Sequence, residues 1–178
     1  MPIEIGPDTP PALVPLAWLI GRWEGAGVVG YPTMEEHRFG QEVEFSHDGR
    51  PFLHYRSQAW LLDDDGNQVR RLASETGYWR VPQPADDGAH PEQADQPGTE
   101  IEVLLAHPTG ISEIYLGRVQ GPRIDLVTDV VARTSTAKEY TAAQRMYGLV
   151  DGDLMWVMDM AAMGQEMQPH LSARLKRV

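Results

Sequence analysis

The segment Gly21-Arg22-Trp23-Glu24-Gly25-Ala26-Gly27 leaves the chain around it few options. Positions 21, 23, 25 and 27 share one face of an extended strand, and all but Trp23 are glycine. A backbone stripped of side chains on one face bends sharply or lies close to another chain or a flat ligand. Trp23 supplies a large apolar plug on that face. A kinked strand with an aromatic stopper and a near-bare inner wall is how a small barrel starts. A bulged strand in an ordinary antiparallel sheet satisfies the same residues, so the rest of the chain has to decide.

Beyond this segment, extended runs alternate with turn residues. Residues 1–12 carry four prolines and read as an extended arm. Residues 15–20 have helix-start character, with Pro15 in the first turn and Gly21 as the stop. Extended runs follow at 37–45, 52–62 and 69–81, closed by Ser46-His47-Asp48-Gly49, Asp63-Asp64-Asp65-Gly66-Asn67 and Pro82-Gln83-Pro84. Residues 84–98 are acidic, lack an apolar anchor and read as a mobile loop tip within a single domain spanning 13–178. Further runs cover 100–106, 111–119, 123–131, 138–150, 154–162 and 167–178, with Asp151-Gly152-Asp153 as a hairpin turn. About ten strands, little helix and regular turn signals predict an all-β, antiparallel up-and-down barrel of lipocalin-like form. Closure also removes exposed strand edges.

Charge narrows the partners. A net charge of -11 argues against nucleic acid, whose binding rests on cationic neutralisation of phosphates. With no cysteine there is neither a disulfide framework nor a thiolate metal site. The first residues lack a basic region followed by an apolar one, and no apolar run approaches the roughly 18 residues of a spanning helix. The expectation is a cytoplasmic protein without a membrane partner.

The histidines and carboxylates are then the candidate ligands and bases. His37, His47, His54, His90 and His107 are scattered, without metalloenzyme spacing. His47 and His107 sit in turn sequences and His90 in the acidic loop, so all three read as solvated, while His54 reads as a hydrogen-bonded wall residue. His170 differs. It follows Pro169 at the start of the last run, just after a stretch holding Met155, Met158, Met160, Met163 and Met167. Methionine is pliable and suits the lining of a pocket for a large flat apolar ligand, though the same run also reads as plain core. A histidine at the mouth of an apolar barrel can offer one neutral ring nitrogen to a metal, and haem iron needs only one such axial ligand.

The Gly-x-Trp-x-Gly-x-Gly segment resembles the signature of the nitrobindin family of haem-binding β-barrels, in the residues Gly21, Trp23, Gly25 and Gly27. Tyr31-Pro32-Thr33, Ser135-Thr136-Ala137-Lys138-Glu139 and Gln168-Pro169-His170-Leu171 are similar to nitrobindin segments in the same order. The resemblance implies a ten-stranded barrel holding one haem b at an open end, with His170 as the proximal iron ligand and catalytic through that iron. It implies a haem contact from Thr33 and a basic residue, Lys138, able to pair a propionate. It also implies a homodimer, and a ferric haem that isomerises peroxynitrite to nitrate and binds nitric oxide. No distal histidine stands out, so the sixth position is expected to be open or apolar. The competing classes are a non-catalytic lipocalin or fatty-acid-binding carrier, and a haem or nitric oxide carrier or sensor with negligible turnover.

Overall fold

The computed structural model describes residues 5–83 and 96–178. His90 and most of the acidic loop read at 84–98 lie outside the described residues, as does the start of the N-terminal arm.

Alternating apolar and polar positions roll ten strands into a closed antiparallel barrel. They are β1 (Gly21–Tyr31), β2 (Met34–Ser46), β3 (Phe52–Leu62), β4 (Gln68–Arg80), β5 (Thr99–His107), β6 (Ile111–Gln120), β7 (Arg123–Arg133), β8 (Tyr140–Val150), β9 (Asp153–Ala162) and β10 (Gln168–Arg177). Each strand pairs with its chain neighbours, and β1 pairs with β10 to complete the ring. The expected up-and-down barrel is therefore what forms. β2 begins earlier than the reading at 37–45, because Tyr31 pairs directly with Met34 in a tight hairpin. β8 begins later than 138, leaving Lys138 in the preceding loop.

The short helix is longer than its prediction and of the 3₁₀ type, running Pro11–Leu19. Pro11 and Ala12, read with the arm, stand in its first turn, where a proline's missing N–H costs nothing. Pro15, inside the helix, cannot donate to the ladder, and a tight local winding accommodates it. Leu13, Leu16, Trp18 and Leu19 are buried and plug one end of the barrel. Gly21, at φ +127°, makes the turn into β1. Trp23 Nε1 donates to the Leu19 carbonyl at 2.8 Å, and Arg177 stacks over the Trp23 ring at 4.1 Å while donating to the Trp18 carbonyl at 2.8 Å. First and last strands are thereby stapled to the plug.

Gly25 and Gly27 show why the start of β1 is bare. A Cβ on either would overlap the backbone of β10, at the carbonyls of Arg174 and Ser172 respectively. The glycines admit a neighbouring strand, so the bare face serves barrel closure at the seam.

Strand direction sorts the connections between two ends. Those at 31–34, 62–68, 107–111, 133–140 and 162–168 surround an open mouth, and the helix closes the opposite end. Below the mouth, Phe45, Tyr55, Trp79 and Tyr147 pack as one aromatic layer, with Phe45–Trp79 and Trp79–Tyr147 edge-to-face at 5.2 and 5.1 Å. Every register shift in the described pairings falls in the mouth half, at Val29/Tyr31, Ala59/Trp60, Leu61/Leu62, Ile114/Tyr115, Tyr140/Ala142 and Pro169/Leu171. Bulges bend strands and re-aim side chains, so the plugged half is regular and the mouth half is shaped.

Candidate functional site

His170 sits where two of these irregularities meet. The β9–β10 register skips it between Pro169 and Leu171, and the β1–β2 register skips Gly30 between Val29 and Tyr31. The bulges bring the two residues together, with His170 Nδ1 lying 3.0 Å from the Gly30 carbonyl oxygen. A carbonyl only accepts, so Nδ1 carries the hydrogen and the lone pair is on Nε2. Burial lowers the His170 pKa, against the Gly30 bond that raises it, and the charge of Arg145 lowers it further; the net effect favours the neutral ring. Tyr31 meets the imidazole edge-on at 5.8 Å and is itself pinned across the seam, accepting from the Ala162 N–H at 3.0 Å.

The ring borders a cavity of about 280 Å³ that opens at the mouth. On the His170 side the lining is apolar, from Val29, Met34, Phe39, Met158, Met160 and Leu171. The methionine run divides by strand parity. Met158 and Met160 face in, whereas Met155 lies on the outer wall and Met163 and Met167 are exposed around the rim hairpin.

The facing wall is polar. Arg145, 3% exposed, is its centre. Its guanidinium donates in a fork to Glu75, Nη1 to Oε1 at 2.7 Å and Nη2 to Oε2 at 2.9 Å. It also donates to the hydroxyls of Tyr115 at 3.0 Å and Tyr147 at 3.3 Å, and to Glu113 Oε1 at 3.4 Å. Glu113 accepts from Tyr140 at 2.5 Å and Tyr115 at 2.9 Å, and Glu75 from Tyr55 at 2.6 Å. Burial alone would raise both carboxyl pKa values. For Glu75 the Arg145 charge and hydrogen bonds outweigh it and hold the group down to about 2; for Glu113 the His107 bond and Arg145 do the same in direction. Burial also pushes the hydroxyls of Tyr55, Tyr115 and Tyr140 up, keeping them protonated donors.

His107 belongs to this wall and is not the solvated turn residue its sequence predicts. Its side chain is 18% exposed, and Nε2 lies 2.6 Å from Glu113 Oε1, with Nδ1 3.6 Å from Glu75 Oε2. His107 ends β5 and Glu113 stands just across the hairpin on β6, so the short Pro108-Thr109-Gly110 turn folds the ring inward. Glu75, His107 and Glu113 offer three ligand atoms within 4.8 Å of one another. The carboxylates are already saturated by Arg145 and the tyrosines, so the guanidinium supplies the cation that a metal would otherwise bring.

The remaining predicted residues divide by end. Thr33 is exposed in the turn between β1 and β2, and Lys138 is exposed in the loop before β8, where its carbonyl accepts from Arg133 at 3.3 Å. Both stand at the mouth with His170, and neither lines the cavity. Gly21, Trp23, Gly25 and Gly27 lie toward the plugged end, away from the site. His54 is an exposed outer-wall residue stacked on Tyr78 at 5.5 Å, where a hydrogen-bonded wall residue was expected. Sequence reasoning missed Glu75, Glu113 and Arg145. The signal for two of them was a charge on an inward position, Glu113 between Ile111 and Tyr115 and Arg145 between Ala143 and Tyr147.

Residues 12–177 match the model of the THAP4-like, heme-binding beta-barrel domain. A protein of Kineococcus radiotolerans named "Ferric nitrobindin-like protein" is 57% identical over 100% of this chain and 99% of its own length. A "Peroxynitrite isomerase" of Leifsonia xyli subsp. xyli is 48% identical over 98% of each chain. Among solved structures, that of Rv2717c from M. tuberculosis superposes with a TM-score of 0.78 at 38% identity, over 96% of this chain and 99% of the other.

Proposed function

This chain belongs to the family of THAP4-like, heme-binding beta-barrel domains, and on that premise we propose that it holds one haem b per chain at its mouth, on His170, and works as a peroxynitrite isomerase that also binds nitric oxide. One observation carries the reading: His170 borders an apolar cavity with Nδ1–H tied to the Gly30 carbonyl, which leaves the Nε2 lone pair free. An axial histidine is held in this way, its second nitrogen donating to a backbone carbonyl that fixes the ring and raises its basicity. The cavity, about 280 Å³ and open at the rim, would take part of a large apolar ligand whose remainder lies at the mouth.

When bound, the haem supplies a Lewis-acidic ferric centre for peroxynitrite and a binding site for nitric oxide. The chain's own residues orient that centre and keep water from it. Gly30 and Tyr31 fix the imidazole; Val29, Phe39, Met158 and Met160 exclude solvent. Thr33 and Lys138, both on the rim, would help hold the haem, the lysine offsetting a propionate charge. Relatives named for peroxynitrite isomerisation support the same chemistry here.

His170→Ala is expected to abolish the Soret band of haem-supplemented protein while leaving its far-ultraviolet circular dichroism unchanged. A variant with full haem content and an unshifted spectrum overturns the assignment. Stopped-flow decay of peroxynitrite accelerates with ferric protein and not with the haem-free chain. Haem binding without that acceleration identifies a carrier or sensor instead.

A further inference from the structure

Around the ten-strand ring, β5 lies five strands from β10 in either direction, through β9 to β6 or through β1 to β4. His107, the last residue of β5, therefore faces His170 across the mouth, and both border the same cavity. Between them the hydrogen bonds of the polar wall are spent. The Arg145 nitrogens donate to Glu75, Glu113, Tyr115 and Tyr147, and each carboxylate oxygen of Glu75 and Glu113 already accepts. Glu113 is ionised and only accepts, so His107 Nε2 carries the hydrogen of their 2.6 Å bond. Among His107, Glu75, Glu113 and Arg145, the nitrogen left with a free lone pair is His107 Nδ1, which stands 3.6 Å from Glu75, beyond a hydrogen bond.

We infer that His107, oriented by Glu113, is the proton acceptor for a protic ligand entering the cavity, and that the site takes its small oxyanions as the neutral acid, a peroxy acid or hydroperoxide. This inference rests on the reading of His170 as the haem ligand. The charge of -11 repels an anion at long range but not its conjugate acid. Once inside, the ligand's O–H bond breaks, the proton bonds to Nδ1, and the electron pair stays on the oxyanion facing the His170 side. The imidazolium so formed lies between the carboxylates of Glu113 on β6 and Glu75 on β4, each of which also pairs with the Arg145 cation of β8, while the neutral Tyr140 hydroxyl donates to Glu113. Both carboxylates stabilise the product of the transfer, so the wall is organised for receiving a proton.

Hydrogen cyanide tests this without turnover, because it reaches ferric haem as the neutral acid and must lose a proton to bind. Nitric oxide brings no proton and serves as the control. In stopped-flow mixing with the ferric holoprotein, His107→Leu and His107→Gln are expected to slow cyanide association by roughly 10²-fold. Nitric oxide association changes less than about twofold. The glutamine variant retains an N–H toward Glu113 and guards against loss of folding. ¹⁵N NMR of the wild-type imidazole supplies a second reading, expected to show the neutral ring with its proton on Nε2. Cyanide rates that stay unchanged, cyanide and nitric oxide rates that fall together, or a proton found on Nδ1 of the neutral ring each overturn the inference while leaving His170 untouched. A wild-type chain that takes up no haem removes both.

Discussion

Toward the plugged end, Phe45, Tyr55, Trp79 and Tyr147 form an aromatic layer and Trp23 is buried against the helix, with the indole N–H of Trp18 and of Trp79 left without an acceptor among the described residues. At the mouth, inward positions of β4, β6 and β8 carry Glu75, Glu113 and Arg145, and their polar atoms are partnered. One half is held by area removed from water and tolerates an unmade hydrogen bond at about 1–3 kcal/mol. The other half is held by charge pairing in a low-dielectric interior, where one unmade bond leaves an uncompensated ion. Fold and site are thus separated along the barrel axis, with regular ladders on one side and bulged ones on the other.

The separation can be broken from either end. Trp23→Ala is expected to cost about 3–5 kcal/mol in guanidinium unfolding, by transfer and cavity terms, with no change in its cost between neutral and mildly acidic pH. Arg145→Met is expected to cost about 3 kcal/mol at neutral pH, because two carboxylates lose their counter-ion. The wild-type mouth has its own pH signature. The Glu75 pKa is held at about 2, below its ordinary 4.5, so the unfolded chain binds more protons in that window. Stability is full above about 4.5 and falls as pH drops toward 2, and Glu75→Gln flattens that slope in acid-unfolding curves. Gly25→Ala, which forces a Cβ into the β10 backbone, is expected to cost about 1–3 kcal/mol and to lower Tm without altering the acid slope. Lys138→Ala should have the smallest effect, weakening haem binding by less than about fivefold, as fits one exposed charge pair.

The plugged end was the more legible of the two. Alternation, turn residues and the bare face of β1 belong to strands whose ladder is regular, so local pattern and final register agree. The position of His170, at the opening of the last strand, was legible too. The wall facing it was not. His107 is followed by Pro108-Thr109-Gly110, which reads as a solvated turn, and only the hairpin register to Glu113 and the span from β4 to β8 to Arg145 draw it inward. Such a network consists of contacts between strands far apart in the chain, and spacing along the sequence cannot display them. The aim of His170 was hidden for a similar reason, since two separate bulges produce it.

The bond from His170 to Gly30 spans 140 residues and joins the last strand to the first. The same strand that zips the ring shut also delivers the imidazole, so no partial ribbon emerging during synthesis can seat it against Gly30. Long-range closure of this kind is slow relative to local hairpins. Pigment uptake would therefore report completed assembly, arriving only after the final seam has formed.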